Sequence, residues 1–359
     1  MSEVYKNASA VFLAHGYVGE VLGKTIHGVL MHSRVFRVTA LVDRFKAGLD
    51  TSEICPGVTV SVPIYSGLRD ALASCPDVLI LAGAPHKEDL EDLKLAIRSG
   101  MDIVNPSFSF LKDMPELVEL AAKHGTRLMD LRDVEPDLRD ADGSIVDIKA
   151  KVVYIMGTDC GVGKRTATYE LVMEARRRGI NAAFAATGQT GLMLGCDAGI
   201  IVDAIPNNYA AGAVEGMIVE LDKRGHELIF LEGQASLMHY AGSGSIVLLH
   251  AGNPHAIVLV HDPSRTMHAE MGNSPIFKMC PLDREIEIIE SLGLPGGNSF
   301  KVVALATRGF ENLSLLNQTS ALPVADARMD GGPAVLLDAV LEHLCHAYQW
   351  RPFNAARAC

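Results

Sequence analysis

The stretch best equipped for chemistry is Gly157-Thr158-Asp159-Cys160-Gly161-Val162-Gly163-Lys164-Arg165-Thr166. Consecutive backbone N–H groups in a glycine-rich turn form a nest for anions, and a helix that follows adds its positive end. Lys164 supplies a mobile point charge, Arg165 a planar one and Thr166 a hydroxyl. These parts in this order predict a grip on phosphate. The spacing departs from Gly-x4-Gly-Lys-Ser/Thr in two places. Counting back from Gly163, the first glycine position holds Thr158, and Gly157 comes one residue early. The Ser/Thr that would hold Mg²⁺ is Arg165, a side chain that offers no lone pair to a metal and repels one. Thr166 lies about 100° further round the helix. Nucleotide hydrolysis is therefore not the expected chemistry. A phosphate-bearing ligand that needs no Mg²⁺, such as coenzyme A, fits the loop better.

Other residues join the loop as candidates. Glu232 closes the apolar run before Gly233. At the mouth of a parallel sheet, such a carboxylate holds a metal through water in a nucleotide enzyme, or serves as general base in acyl transfer. Asp203 sits within Ile200-Ile201-Val202-Asp203-Ala204-Ile205, where a lone carboxylate needs a partner or a function. Gln189 belongs to Thr187-Gly188-Gln189-Thr190-Gly191, a small polar segment able to approach a ligand closely. His239 is a lone histidine, of a kind more often structural than catalytic. Cys160 has no base specified beside it. His250, His255, His261 and His268 lack HxxxH or HExxH spacing, so no metal site is expected.

These residues need elements to position them. Val152-Val153-Tyr154-Ile155-Met156 reads as the strand that delivers the loop, and Lys164 opens a helix with Ala167, Leu171, Val172 and Ala175 inward. Strand patterns recur at 180–187, 227–231, 255–261 and 301–307, and 332–346 reads as a helix carrying Val335, Leu336, Val340 and Leu344 on one face. Upstream, strands at 9–15, 36–42, 77–83, 101–104 and 126–129 alternate with helical stretches such as 87–99. Both halves predict α/β architecture: a Rossmann-like N-terminal domain over 1–135, a linker at 136–150, and a P-loop-like domain over 151–359 with a mostly parallel sheet. Asp43 ends the second strand, where a dinucleotide enzyme keeps an acid. Gly16, Gly19 and Gly23 do not make GxGxxG, so no dinucleotide is expected.

Composition sets outer bounds. Of 359 residues, 48% are hydrophobic but only 6% aromatic, which suits cores of aliphatic side chains between helices and parallel strands. The net charge of −11 argues against binding to nucleic acid. Seven cysteines without a CxxC pair suggest neither a disulfide scaffold nor a zinc knuckle. No signal-peptide pattern or membrane-length apolar run stands out, so a cytoplasmic enzyme is expected, without membrane partners. Small-residue helices leave room for a homo-oligomer.

The loop and Leu231-Glu232-Gly233 resemble those of dethiobiotin synthetase and its P-loop relatives. More closely, the whole chain resembles the D-glutamate N-acetyltransferase (DgcN-type) family. The stretches that carry this are Gly23-Lys24-Thr25 with Gly28, residues 157–166, Thr187 to Gly191, Asp203 with Gly212 and Glu215, Glu232-Gly233-Gln234, and Leu322-Pro323-Val324-Ala325-Asp326. In that family a residue other than Ser/Thr follows the loop lysine, so Arg165 departs only from the ATPases. The resemblance implies an amino-acid N-acetyltransferase that moves acetyl from acetyl-CoA to the amine of D-glutamate in D-amino acid catabolism. It implies a base, Glu232 first and Asp203 second, with Lys164 and loop N–H groups facing the thioester oxygen. Arg165, Arg265 and Arg308 become candidates for the substrate carboxylates, with Gln189 and His239 as further substrate contacts. Two rivals remain: a Mg²⁺- and ATP-dependent ligase or kinase of the dethiobiotin synthetase type, and a non-catalytic sensor of CoA or nucleotide.

Overall fold

The computed structural model describes residues 4–20, 23–55, 57–133, 138–240, 242–269 and 271–353. Two compact units emerge, each around its own sheet. The first comprises residues 1–135 together with 189–195, and the second residues 136–188 and 196–359.

In the first unit the elements run β1 (Ala8–Leu13), α1 (Lys24–His32), β2 (Phe36–Val42), α2 (Thr51–Ile54), β3 (Ile64–Tyr65), α3 (Leu68–Ala71), β4 (Val78–Leu81), α4 (Leu90–Arg98), β5 (Asp102–Asn105), α5 (Pro115–His124) and β6 (Leu128–Asp130). The strands lie in the order β3-β2-β1-β4-β5-β6, and every pairing is parallel. That is the doubly wound order, with its reversal between β1 and β4. The turns at this reversal are closed by the chain itself. Asp43, buried just past β2, accepts hydrogen bonds from the N–H groups of Gly16 (3.1 Å) and Phe45 (2.9 Å). A Cβ on Gly83, just past β4, would lie 2.2 Å from the Tyr17 hydroxyl. The acid that suggests a ribose partner is thus tied to the backbone of its own turn and of the turn after β1.

The second unit contains β7 (Lys151–Gly157), α6 (Lys164–Arg177), β8 (Ala182–Ala186), β9 (Ala198–Gly199), α8 (Asn207–Lys223), β10 (Leu228–Glu232), α9 (Gly244–Gly252), β11 (Ala256–Val260), α10 (Leu282–Ser291), β12 (Val302–Thr307), α11 (Phe310–Thr319), β13 (Val324–Asp326) and α12 (Gly332–Tyr348). Its strand order is β13-β12-β11-β7-β10-β8-β9, again with parallel pairings. β7, which delivers the loop, is central, flanked by β11 and β10. The inward face of α6 holds Ala167, Leu171, Val172 and Ala175, all buried, as the periodicity predicts. Removing each larger aliphatic side chain from water contributes about 1.5–3 kcal/mol. On α12, Leu336, Val340 and Leu344 are buried but Val335 is 44% exposed, so the inward stripe is narrower than expected. The short strands β3, β9 and β13 are two or three residues long and leave no readable alternation.

Two boundaries differ from expectation. Between β8 and β9 the chain forms α7 (Gln189–Leu194), which belongs to the first unit. There Thr190 Oγ1 lies 3.1 Å from Thr25 Oγ1, Ser33 Oγ donates to Met193 O, and Arg34 N donates to Leu194 O. The described residues of the expected 136–150 linker are held on the second unit. The N–H groups of Asp142 and Ile145 donate to the Glu215 carboxylate at 2.9 and 3.0 Å, and those of Lys149 and Ala150 to Asp222 at 2.9 and 2.8 Å. Carboxylates on α8 satisfy backbone donors that a free linker would leave to water.

That anchorage makes Gly212 sensitive. A Cβ there would sit 2.1 Å from Arg139 O, whereas one at Gly216 would meet only the far end of the Arg139 side chain, at 2.2 Å. Alanine gains about 1 kcal/mol of helix propensity at either place. The backbone clash at 212 cannot be relieved by a rotamer and costs about 1–3 kcal/mol or more. Urea unfolding should show Gly212→Ala destabilised and Gly216→Ala close to neutral; equal midpoints would contradict the packing described.

Candidate functional site

At the C-terminal end of β7 the loop turns sharply on Gly161 (φ +67°) and Gly163 (φ +113°), positions where a side chain is strained. Lys164 then opens α6 and runs back beneath the loop. A Cβ on Gly157 would lie 2.7 Å from Lys164 Cδ, and one on Gly233 would lie 3.1 Å from the same atom and 2.2 Å from Ile155 O. The two glycines leave a corridor for the lysine stem. The Nζ donates to Asp159 O at 2.5 Å. The start of the loop is sewn to β11: Thr158 N donates to Val260 O (3.0 Å), and Thr158 Oγ1 lies 2.9 Å from His261 Nδ1. Arg265 closes the other side, its Nη1 donating to Asp159 Oδ2 (2.7 Å) and Cys160 O (2.6 Å). The guanidinium expected to await a substrate carboxylate is engaged in holding the loop.

Glu232 ends β10, in register with Ile155 of β7. It is 6% exposed. Burial pushes its carboxyl up to about 7, although Arg165, the Thr187 and Gly188 N–H groups and Lys164 all pull the other way. Thr187 N donates to Glu232 Oε2 at 3.1 Å, Thr187 Oγ1 donates to Glu232 O at 2.9 Å, and Gln234 Nε2 donates to Thr187 O and Oγ1. Arg165 keeps part of its surface exposed, but its Nε is shut away from solvent without a hydrogen-bond partner among the described residues. The position that holds a metal-binding hydroxyl in a nucleotide enzyme here sets a guanidinium within electrostatic reach of a buried carboxylate. The site therefore combines a glycine-rich loop with two positive-φ turns, a lysine, and a carboxylate able to exchange a proton near neutrality.

The other expected residues have varied surroundings. Asp203 is exposed, not buried as its apolar neighbours suggested: the single 3₁₀ turn Val202–Ala204 sends Val202 inward and Asp203 out. Gln189 belongs to the first unit, where its Oε1 accepts from Arg132 Nη2 at 3.1 Å. Arg308 is exposed just after β12, within electrostatic reach of Arg328, Asp326, Asp262 and Arg265. Cys160 is half-buried on the loop, and Thr166 lies one residue beyond Arg165 on α6.

His239 is buried, its ring centroid 4.8 Å from that of His268 and its Nε2 3.8 Å from Asp159 Oδ1. His268 Nδ1 lies 3.2 Å from the same oxygen. The spacing of these residues shows no metal motif, yet the fold brings them together. Burial alone would raise the Asp159 carboxyl; hydrogen bonds from Ala269 N–H and Arg265 outweigh it and hold it below the usual range.

Sequence reasoning missed Glu285. It is fully buried on α10, its Oε1 accepts from Ser236 Oγ (2.6 Å), and burial pushes it up to about 7. The run Asp283-Arg284-Glu285 looks like a solvated face. A signal was present nonetheless: Glu285 is one turn from Ile289, which is also fully buried.

Residues 139–336 match the P-loop domain of the DUF1611 domain of unknown function, and residues 44–134 match its Rossmann-like N-terminal domain. The chain belongs to the DUF1611 family. The solved structure of a DUF1611 family protein from Anabaena variabilis aligns with a TM-score of 0.85 at 30% identity, covering 94% of this chain and 100% of that one. Two curated relatives of this DUF1611 chain, each named D-glutamate N-acetyltransferase, come from Tritonibacter scottomollicae and a Pseudoalteromonas species. The first is 32% identical over 274 residues, 75% of this chain and 79% of the relative. The second is 30% identical over 273 residues, 73% and 78%. Among the described residues, no helix is long and apolar enough to cross a membrane.

Proposed function

We propose that this protein is an N-acetyltransferase that moves acetyl from acetyl-CoA to the amine of an acidic amino acid, D-glutamate foremost. The observation that carries the reading is Glu232: a buried carboxylate, raised to about 7, within electrostatic reach of the loop lysine. The names of the relatives supply the acceptor.

The loop fits the phosphates of coenzyme A. Gly161 and Gly163 give the turn the positive φ that an anion nest uses, Lys164 adds a charge, and Arg165 stands where a Mg²⁺ ligand would be needed for nucleotide hydrolysis. When bound, acetyl-CoA supplies an activated acetyl group as its thioester. The residues of this chain do the rest. Backbone N–H groups from Gly161 to Lys164 hold the anion. Glu232, ionised above about pH 7, accepts a proton from the acceptor ammonium so that the amine lone pair is free. Arg165 stabilises the ionised carboxylate between turnovers. Arg308, exposed just after β12, is a cation available to an acceptor carboxylate.

The test is direct. With acetyl-CoA and D-glutamate, the purified chain should release free CoA thiol, faster than with L-glutamate, and should release no ADP from ATP and Mg²⁺. Absence of thiol release with every acidic amino acid tried would sink the proposal, and Mg²⁺-dependent ADP release would favour the ligase reading.

A further inference from the structure

Asp159, His239 and His268 come from three segments that follow neighbouring strands: Asp159 after β7, His239 after β10 and His268 after β11. All three are buried, and one donor atom from each lies within 4.8 Å of the others. Asp159 divides its two oxygens. Oδ2 takes Arg265 Nη1 (2.7 Å) and Ala269 N (2.9 Å), while Oδ1 faces His268 Nδ1 at 3.2 Å and His239 Nε2 at 3.8 Å. Donors at metal–ligand distances of 2.0–2.1 Å in a tetrahedral shell stand about 3.3 Å from one another. The two spacings to Asp159 Oδ1, 3.2 and 3.8 Å, bracket that value, and the three donors, together within 4.8 Å, close on an ion as the side chains draw inward.

The backbone already fixes the two histidines. His239 N donates to Ser236 O and Gly242 N to His239 O, while His268 N donates to Phe277 O at 2.9 Å beside the Met267–Lys278 bridge. Arg265 and Ala269 play the part of outer-shell donors that orient a ligating carboxylate. We propose that Asp159, His239 and His268 bind one divalent transition-metal ion, of the Zn²⁺ type, beneath the phosphate loop. Two imidazoles and one carboxylate select Zn²⁺ or Co²⁺ over Mg²⁺ and Ca²⁺, which take oxygen donors. The site is distinct from the Mg²⁺ position lost at Arg165. It does not depend on the acetyl-transfer reading, because it needs neither acetyl donor nor acceptor. Its physical effect is to brace Asp159, whose own carbonyl receives the lysine Nζ.

The test uses the tag-free full chain and the metal alone. The chain is stripped with chelator, dialysed against Zn²⁺, Co²⁺ or Mg²⁺, and its bound metal is counted by mass spectrometry. The expected result is about one equivalent of Zn²⁺ or Co²⁺ but not of Mg²⁺, a four-coordinate Co²⁺ absorption spectrum, and a rise in thermal midpoint with Zn²⁺. His239→Ala and His268→Gln should each weaken Zn²⁺ binding at least tenfold, while the exposed His124→Ala should not. Absence of retained Zn²⁺ and Co²⁺ in the native chain, or undiminished binding in both variants, overturns the proposal. If a variant fails to fold, the metal count and Co²⁺ spectrum of the native chain decide.

Discussion

Glu232→Gln should lower kcat by about 10²–10⁴-fold, the range that a positioned general base contributes, while changing KM for acetyl-CoA little. The amide keeps the shape and can still accept from Thr187 N–H, but it cannot take a proton. The pH profile supplies an independent readout. Burial raises the carboxyl to about 7, so kcat/KM of the native chain should fall as pH drops through that value, and the residual activity of the variant should not show this limb. Stability has its own sign. A carboxyl raised from 4.5 favours folding while protonated, so its contribution is fully present below about pH 4.5 and is lost as pH rises through about 7. Thermal midpoints between pH 5 and 8 should therefore slope less in the variant. The vertical offset between the two curves also contains the cost of leaving Arg165 without its counter-charge, so the slope alone reports on Glu232. A variant with native kcat would show that another group removes the proton; Glu285, also raised to about 7, would be the next to replace.

Lys164→Ala should weaken CoA binding roughly 10- to 100-fold, the worth of a charge-assisted hydrogen bond of about 1.5–3 kcal/mol. The fold should persist, because the lysine Nζ bonds to the carbonyl of its own loop. Gly157→Ala should reproduce part of the loss with the charge still present, since the new methyl meets the lysine stem at 2.7–2.8 Å and must push it aside. Calorimetric titration with CoA reads both variants. Native affinity in Lys164→Ala would place the phosphates elsewhere.

How much could be read from the sequence depended on the range of the interactions. The loop, its strand and its helix are one continuous segment, so glycine spacing and the apolar face of α6 disclosed them together. Glu232 was legible because it closes a strand in a parallel sheet. Asp203 misled because an apolar neighbourhood in sequence does not bury every member of a 3₁₀ turn. Arg265 read as a free cation; its partners Asp159 and Cys160 lie more than a hundred residues upstream. The convergence of Asp159, His239 and His268 had no local signature, since it follows from the order β11-β7-β10. Chain position puts Gln189 in the second domain, and nothing local to it reveals that the chain departs there.

That departure bears on how the nascent chain matures. The first unit is discontinuous: its last element, α7, is translated only after residues 136–188. At about 5–20 residues per second, a first unit already emerged from the ribosome waits roughly 3–10 s for that helix. Until then the surface of α1 that will receive Thr190 lacks its partner. A gene fragment cut at residue 135 would encode a permanent version of that waiting state, and a fragment beginning at 136 would carry α7 with no body to dock on.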